Sequence, residues 1–190
     1  MPFIHLPVQS GSNKVLKQMN RNHSIEEYIE LIDKLKNTIP NLQLYSDFII
    51  GYHGETEDDF EKTLDIMSKV KFTNSYSFIY SARPGTPSSN LKKINNDISK
   101  KRLMIFQHIA NKIKTDYREK LLTKVSPVLF ENKTKEKNKY FGRDEWFNSV
   151  IVESNEDLIG KIKNIKITKV NRNTLFGEIS SKLIQKEFAA

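Results

Sequence analysis

The sequence predicts an α/β chain in which a parallel sheet comes first and a small antiparallel β-barrel follows. Apolar strand-like runs alternate with amphipathic helical patterns up to about residue 121, and beyond residue 123 the pattern changes to short β segments. Strands and helices that alternate at this spacing are typical of βαβ units with right-handed crossovers. The domains are therefore predicted to be residues 1–122 and residues 123–190.

The first predicted domain contains three strands, each an apolar run that ends in a polar turn. These strands are expected at 3–8, 42–50 and 74–80. His5 lies inside the first of them and is interpreted as a buried core residue.

The helices of the first domain are predicted from their caps and their periodicity. Ser24 and Glu27 form a capping box before apolar residues at helical spacing, which predicts a helix over 25–38. Thr56 and Asp59 cap the next helix in the same way. A short helix is expected around 13–19, and a long one closes the domain over 97–121.

The second domain is predicted to be a barrel of short strands that alternate between apolar and polar residues. Its strands are expected at 125–131, 149–153, 161–170 and 174–180. Residues 132–148 are rich in charge and are expected to form a looping insertion.

The absence of cysteine excludes several kinds of site. With none in 190 residues, the chain contains no disulfide, no zinc thiolate site and no thiolate ligand for an iron–sulfur cluster. No run approaches the ~18 apolar residues of a membrane span. A cytoplasmic protein without a membrane partner is the expectation, with neither a catalytic triad nor a metal site.

The charge is concentrated in the second half of the chain. Residues 1–91 carry a net charge of −2, whereas residues 92–190 carry +10. This asymmetry favours a polyanionic partner for the second half. A general bias of the chain toward Lys and Asn is the alternative explanation.

Glycine-containing polar turns follow the three predicted strands. The carboxyl ends of parallel strands meet at one edge of a sheet, where α/β proteins bind ligands. Turn formation alone explains any single glycine, but three such turns favour a ligand site. The candidate ligand-binding residues at these turns are Gln9, Ser10, Ser12, Gly51, Glu55, Tyr80 and Arg83. For Glu55, a role as an acidic residue at a helix start is the favoured alternative.

Three segments resemble a known family. They are HLPVQSGS at 5–12, SDFIIGYHGETEDDF at 46–60 and YSFIYSARPGTP at 76–87. Together they resemble radical S-adenosylmethionine (SAM) methylthiotransferases of the MiaB type, and the resemblance covers nearly the whole chain. His53 departs from the pattern, because the family usually has proline there.

The resemblance implies a fold, cofactors and a partner. The chain would start at the fourth strand of a radical SAM partial barrel and end in a TRAM domain that binds RNA. The cofactors would be SAM and two [4Fe–4S] clusters, whose cysteine ligands are missing here. Gln9, Ser10 and Arg83 would contact the ribose and methionine parts of SAM. The segment 49–55 would lie beside the adenine, which adds Ile49 to the candidate ligand-binding residues.

The implied reaction adds a methylthio group to carbon 2 of isopentenyladenosine beside the tRNA anticodon. The basic second half would contact the anticodon stem-loop. Its candidate RNA-binding cations are Lys133, Lys139, Arg143, Lys161 and Lys163. The residues considered for base stacking are Phe130, Tyr140, Phe141, Arg143 and Trp146. A role in the core of the barrel is the alternative for Phe130 and Trp146, and it is favoured for Phe130.

Three interpretations remain open from the sequence. The chain is a portion of a methylthiotransferase that is inert alone, or a non-catalytic RNA-binding module, or one half of a split enzyme whose partner chain carries the cysteines. A related enzyme that acts on threonylcarbamoyladenosine is a further alternative, although the 76–87 segment suits the isopentenyl type better.

Overall fold

The computed structural model describes residues 1–181 of the chain. The chain divides into two compact units. Residues 4–114 form one, called the sheet unit below, and residues 1–3 with those from 115 onward form the other, called the barrel unit. Within residues 1–181, no helix has the length and apolar character to cross a membrane.

The sheet unit is built on three strands that neighbour one another in chain order, β1-β2-β3. They are β1 (Phe3–His5), β2 (Gln43–Ile50) and β3 (Asn74–Ile79). β2 and β3 run parallel, in register from Tyr45 opposite Asn74 to Ile50 opposite Ile79. Beyond β1, a parallel bridge joins Gln9 to Phe48. The predicted parallel α/β sheet is confirmed.

The helices begin where their caps predict. The elements are α1 (Asn13–Gln18), α2 (Ile25–Thr38), α3 (Glu57–Val70), a 3₁₀ turn (Pro87–Asn90) and α4 (Asn96–Glu119). The Ser24 and Thr56 hydroxyls each accept a hydrogen bond from the backbone N–H of the third helical residue, and that residue's carboxylate accepts one from the cap backbone N–H. Both capping boxes therefore form as predicted.

One face of the sheet carries the hydrophobic core. Phe48 and Ile50 of β2 are completely buried and pack in a cluster with side chains of α2, α3 and α4. Phe48 lies against Phe72 and Phe106, with ring centroids 5.5 and 4.6 Å apart. The interpretation of His5 as a core residue is wrong, because His5 is exposed and pairs with Asp47 instead.

The barrel unit is a closed barrel with the strand order β4-β5-β6-β8-β7. Its strands are β4 (Val125–Lys133), β5 (Lys139–Asp144), β6 (Ser149–Glu153), β7 (Ile162–Val170) and β8 (Leu175–Ile179). The predicted small barrel is confirmed, with one difference: β6 and β8 pair in parallel, whereas the other neighbours are antiparallel. Five strands cannot alternate in direction all around a closed ring, so at least one parallel pair is required.

The expectation that 132–148 forms only a looping insertion is wrong. Lys139–Asp144 is strand β5, in which Tyr140, Gly142 and Asp144 are buried and the residues between them are partly exposed. The alternation is masked in the sequence because its inward positions include a glycine and an aspartate. A Cβ at Gly142 would lie 2.5 Å from the carbonyl oxygen of Leu129, so the strand approaches β4 more closely than a larger residue allows.

Candidate cofactor site and candidate nucleic-acid interface

A cavity of 570 Å³ lies beside the carboxyl ends of β2 and β3. Of the eight candidate ligand-binding residues, Ile49 and Tyr80 line it. The other lining residues come from three segments: Lys17, Gln18, Met19, Asn20 and Arg21; Tyr52; and Thr86, Pro87 and Ser88. The rings of Tyr52 and Tyr80 lie 4.5 Å apart. An apolar and aromatic wall with a polar rim is suited to a flat heteroaromatic ligand.

Hydrogen bonds around Ser88 fix the wall of this cavity. The Tyr80 hydroxyl and the Ser88 hydroxyl are hydrogen-bonded, and the Thr86 hydroxyl lies 2.8 Å from Ser88 Oγ. His53 is buried, and its Nδ1 lies 2.9 Å from the Ser88 carbonyl oxygen, which requires a proton on Nδ1. His53 also packs edge-on against Tyr80, with ring centroids 5.2 Å apart. His53 therefore joins the turn after β2 to the segment after β3.

Ser10 and Ser12 direct their hydroxyls toward α3. Ser10 Oγ lies 3.3 Å from the Thr63 hydroxyl, and Ser12 donates a 2.7 Å hydrogen bond to Asp59 Oδ1. Burial alone would raise the pKa of Asp59, but hydrogen bonds from Lys14, Ser12 and Thr56 outweigh it and hold that pKa well below its usual range. Both serines are thus used by the fold, and Ser12 borders a second cavity, of 530 Å³, instead of the first.

Gln9 and Gly51 shape the backbone at the strand ends. Gln9 has a φ of 71°, and its backbone accepts from Ile49 N–H and donates to the Asp47 carbonyl, both at 2.9 Å. Gly51 has a φ of 73°, and a Cβ there would lie 2.5 Å from Ser99 Oγ. A larger residue at Gly51 would be strained in both its backbone and its contacts.

Glu55 is the buried half of an ion pair with α4. Its Oε2 accepts from Arg102 at 2.8 Å and from the Gly51 N–H at 3.0 Å, while Oε1 is buried without a hydrogen-bond partner. Burial raises the pKa of Glu55, and the Arg102 guanidinium partly offsets that effect. The second carboxylate on Arg102 is Glu57, at 2.7 Å. The sequence does not reveal the Arg102–Glu55 contact, because the two residues are 47 positions apart in the chain.

Arg83 stands apart from these contacts. Its side chain is exposed and, within residues 1–181, has no hydrogen bond or ion pair. Its carbonyl oxygen accepts from the Thr86 hydroxyl at 2.7 Å, which shapes the turn. Arg83 is therefore an available cation near the end of β3, but it does not line the cavity.

The candidate RNA-binding cations lie on the barrel unit and reach solvent. Arg143 stacks its guanidinium on Phe147, 4.1 Å from the ring centroid, and forms a 3.3 Å ion pair with Glu131. Lys139 is paired with Glu136, and the Lys133 ammonium lies 5.5 Å from the Tyr140 ring centroid. Phe147 is 40% exposed. The sequence interpretation missed Phe147, although it lies four residues after Arg143.

The remaining candidates divide into exposed and buried groups. Lys161 is exposed just before β7, and Lys163 is partly exposed on that strand. Phe130 is buried, as expected for a core residue. Tyr140 is only 4% exposed, so its predicted availability for base stacking is wrong. Phe141 and Trp146 are partly exposed, and Arg143 also lies over the Phe141 ring at 5.2 Å.

The residues of this chain do not fit an iron–sulfur cluster. The sequence has no cysteine. Across residues 1–181, no group of three or more His, Cys, Asp or Glu side chains is arranged to hold a metal ion. Thiolates are the usual ligands of such clusters. No chemical step is therefore assigned to a cluster held by this chain.

Comparison with known proteins matches both units. The Radical SAM superfamily model matches residues 1–67, and the TRAM domain model matches residues 120–180. A tRNA-2-methylthio-N(6)-dimethylallyladenosine synthase of Pelagibacter ubique (strain HTCC1062) is 48% identical over 182 residues, which is 95% of this chain and 40% of the relative.

Two other relatives carry the same name. The protein of Wolbachia pipientis wMel is 41% identical over 93% of this chain and 41% of its own length. That of Zymomonas mobilis subsp. mobilis is 40% identical over 100% of this chain and 42% of its own length. The chain thus spans about two fifths of the length of these curated relatives. With part of a radical SAM domain followed by a TRAM domain, the chain belongs to the MiaB-type tRNA methylthiotransferase family and corresponds to a carboxyl-terminal portion of its members.

Proposed function

We propose that this chain is the part of a tRNA methylthiotransferase that contacts the nucleoside end of SAM and the tRNA. The whole enzyme would add a methylthio group to carbon 2 of isopentenyladenosine beside the anticodon. The observation that carries the proposal is the similarity, over 95% of the chain, to a tRNA-2-methylthio-N(6)-dimethylallyladenosine synthase. The proposed division lies at residue 122, with the RNA-binding domain over 123–190, of which 182–190 lie outside the described residues. The proposed location is the cytoplasm.

The 570 Å³ cavity supports binding of the adenosine part of SAM. Ile49, Tyr52 and Tyr80 provide the apolar and aromatic walls that an adenine ring needs, and Ser88 provides a hydroxyl at the edge. Arg83 is the cation that would pair with a carboxylate of the ligand. When bound, SAM supplies the radical chemistry of the family, whereas the side chains here orient it. The other candidate residues have a structural role, because their contacts hold the strand-end turns in place. They are Gln9, Ser10, Ser12, Gly51 and Glu55.

The absence of cysteine supports inertness of the chain on its own. The two [4Fe–4S] clusters of the family would require ligands from a cysteine-bearing polypeptide, either the remainder of a longer protein or a separate chain. The proposed partners are therefore that cysteine-bearing half and the anticodon stem-loop. For the RNA, the exposed cations of the barrel unit would neutralise phosphates, and the Arg143–Phe147 stack would present a flat surface to a base.

The proposal is tested by anaerobic reconstitution with iron and sulfide, followed by assay on a stem-loop that contains isopentenyladenosine. The chain alone should yield no 2-methylthio product by mass spectrometry. Adding the cysteine-bearing portion of a relative should restore product. Turnover by the chain alone would contradict the proposed inertness, and failure of the mixture to bind the stem-loop would contradict the proposed substrate.

A non-catalytic RNA-binding module is the second candidate, and the missing cysteines are the observation that favours it. The two candidates differ in their binding of SAM. S-adenosylhomocysteine should bind the chain in a calorimetric titration if the cofactor cavity is used, and Tyr80→Ala should weaken that binding. RNA binding without any nucleoside binding would favour the second candidate.

A further inference from the structure

The sheet unit leaves one face of its sheet uncovered by its own helices. Side chains alternate along a strand, so Phe48 and Ile50 point into the helical core while Asp47 and Ile49 point to the opposite face. The register of β2 and β3 places Tyr76 beside Asp47 and Phe78 beside Ile49. These four side chains therefore share one face.

This face carries large aromatic side chains in solvent. Tyr76 is 48% exposed and Phe78 is 59% exposed. His5 of β1 joins them, because its Nε2 lies 3.1 Å from Asp47 Oδ1 and its ring centroid lies 6.2 Å from that of Tyr76. His5, Asp47, Ile49, Tyr76 and Phe78 are together called the aromatic face below. Exposed apolar surface next to polar groups is typical of a ligand or partner site.

The aromatic face is continuous with the candidate cofactor cavity. Ile49 belongs to both, since it pairs with Phe78 and also lines the 570 Å³ cavity. Tyr80, which lines the cavity, follows Phe78 by two residues in the extended chain after β3. A ligand on this face would therefore lie next to the ligand in the cavity, as two reacting molecules must.

We propose that the aromatic face receives the target adenine and that Tyr76 and Phe78 contact the alkyl group on its N6 atom. The inference rests on the proposed function and adds to it the residues that recognise the substituent. A flat base with a branched five-carbon tail matches the face, which offers two rings and an isoleucine for the tail and the His5–Asp47 pair for the polar edge of the base.

A charged side chain on the aromatic face affects which substituents on the adenine N6 atom can bind. Asp47 places a carboxylate within the face, so a substituent that carries its own carboxylate, such as threonylcarbamoyl, would bring two like charges together. An uncharged isopentenyl group avoids this repulsion. The aromatic face thus favours the isopentenyl substrate over the threonylcarbamoyl one, by both apolar contact and charge.

The test uses free nucleosides, so that RNA binding does not influence the result. The affinities of isopentenyladenosine, adenosine and threonylcarbamoyladenosine for the full chain are measured by NMR titration. Isopentenyladenosine should bind about tenfold tighter than adenosine, because part of its tail leaves water. Phe78→Ser and Tyr76→Ser should remove most of that preference. Ile162→Ser, at an exposed apolar residue of the barrel unit, should leave it unchanged.

Asp47→Asn provides the second arm of the test. This variant should strengthen threonylcarbamoyladenosine binding severalfold and change adenosine binding much less. Equal binding of isopentenyladenosine and adenosine to the wild-type chain would overturn the inference. So would a preference that survives both serine variants, or a self-association of the chain that Phe78→Ser abolishes. Titration with stem-loops tests the proposed function separately. If stem-loops bind equally well with and without the N6 substituent, the proposed function stands and only the inference about the aromatic face is contradicted.

Discussion

The charged residues beside the strand-end turns of the sheet unit and the candidate cations of the barrel unit differ in their surroundings. In the sheet unit, Arg102 and Asp59 are 6% and 3% exposed and are bound by several partners each, so they hold the strand-end turns in place. In the barrel unit, the candidate cations Lys133 and Lys161 stand in solvent. The buried charges beside the strand-end turns therefore stabilise the fold of the sheet unit, whereas these two lysines of the barrel unit remain available to a ligand.

The largest expected effect comes from removing the buried cation. Arg102→Met would leave Glu55 buried without its partner, and breaking such a pair costs about 3–5 kcal/mol of unfolding free energy. The urea midpoint of the sheet unit should fall accordingly. The matched change in the barrel unit, Lys139→Met, breaks an exposed pair with Glu136 and should leave the midpoint unchanged. Equal losses from the two variants would erase the contrast between the units.

The pH dependence of the unfolding free energy tests whether the buried Asp59 charge stabilises the sheet unit. The pKa of Asp59 is lowered in the folded chain, so its stabilisation is present above the unfolded pKa of about 3.9 and is lost as the pH falls below it. Asp59→Asn should therefore cost about 1–3 kcal/mol near neutral pH and progressively less in acid. Urea unfolding at several pH values measures this, and a cost that does not vary with pH would contradict the role given to the Asp59 charge.

Glu55 is expected to behave in the opposite sense. Its pKa is raised by burial, so the folded state favours its protonated form, and its contribution worsens as the pH rises through the unfolded value of about 4.3. In the same series, Glu55→Gln should become relatively less costly, or even stabilising, as the pH rises from acid to neutral. A cost that grows with pH would show that the Arg102 pair outweighs the effect of burial.

His53 is expected to have a smaller effect, confined to the cavity wall. His53→Ala removes the hydrogen bond to the Ser88 carbonyl and should cost about 1–2 kcal/mol. The segment after β3 should also become more open to trypsin at Lys92 and Lys93, which are exposed. His108→Ala, at an exposed histidine of α4, is the control. Unchanged cleavage in His53→Ala would show that His53 does not hold this segment.

The smallest effect in free energy is expected for single cations of the barrel unit. Arg143→Ala should weaken stem-loop binding about three- to tenfold and lower the salt dependence by about one unit of slope, with little change in stability. Lys101→Ala, at an exposed lysine of the sheet unit, should change neither. Comparable losses from both variants would mean that the barrel unit is not the preferred RNA surface.

The fold was predictable because its signals are local. The capping boxes at Ser24 and Thr56 and the helical spacing after them locate α2 and α3 without tertiary information. Strand β5 was hidden because Gly142 and Asp144 occupy inward positions that are usually apolar. The parallel β6–β8 pair is a consequence of closing five strands, which no single segment of sequence displays.

The presence of a cavity at the strand ends was predictable from the sequence, whereas its use as a ligand site stays a prediction. The strand-end turns do adjoin a cavity, and Ile49 and Tyr80 line it. The hydroxyls of Ser10 and Ser12 instead bind Thr63 and Asp59, across about fifty residues of sequence. Polar residues that serve a ligand and polar residues that serve the fold have the same appearance in a sequence, because their partners are distant along the chain.

The most direct test of the account is a titration of a tRNA anticodon stem-loop into the wild-type chain at about 50 mM and about 200 mM salt. If the exposed cations of the barrel unit contact phosphates, affinity should fall at least about tenfold between the two conditions, because each contact releases counterions. Absence of binding, or binding that does not change with salt, would contradict the proposal that this unit supplies the RNA-binding surface.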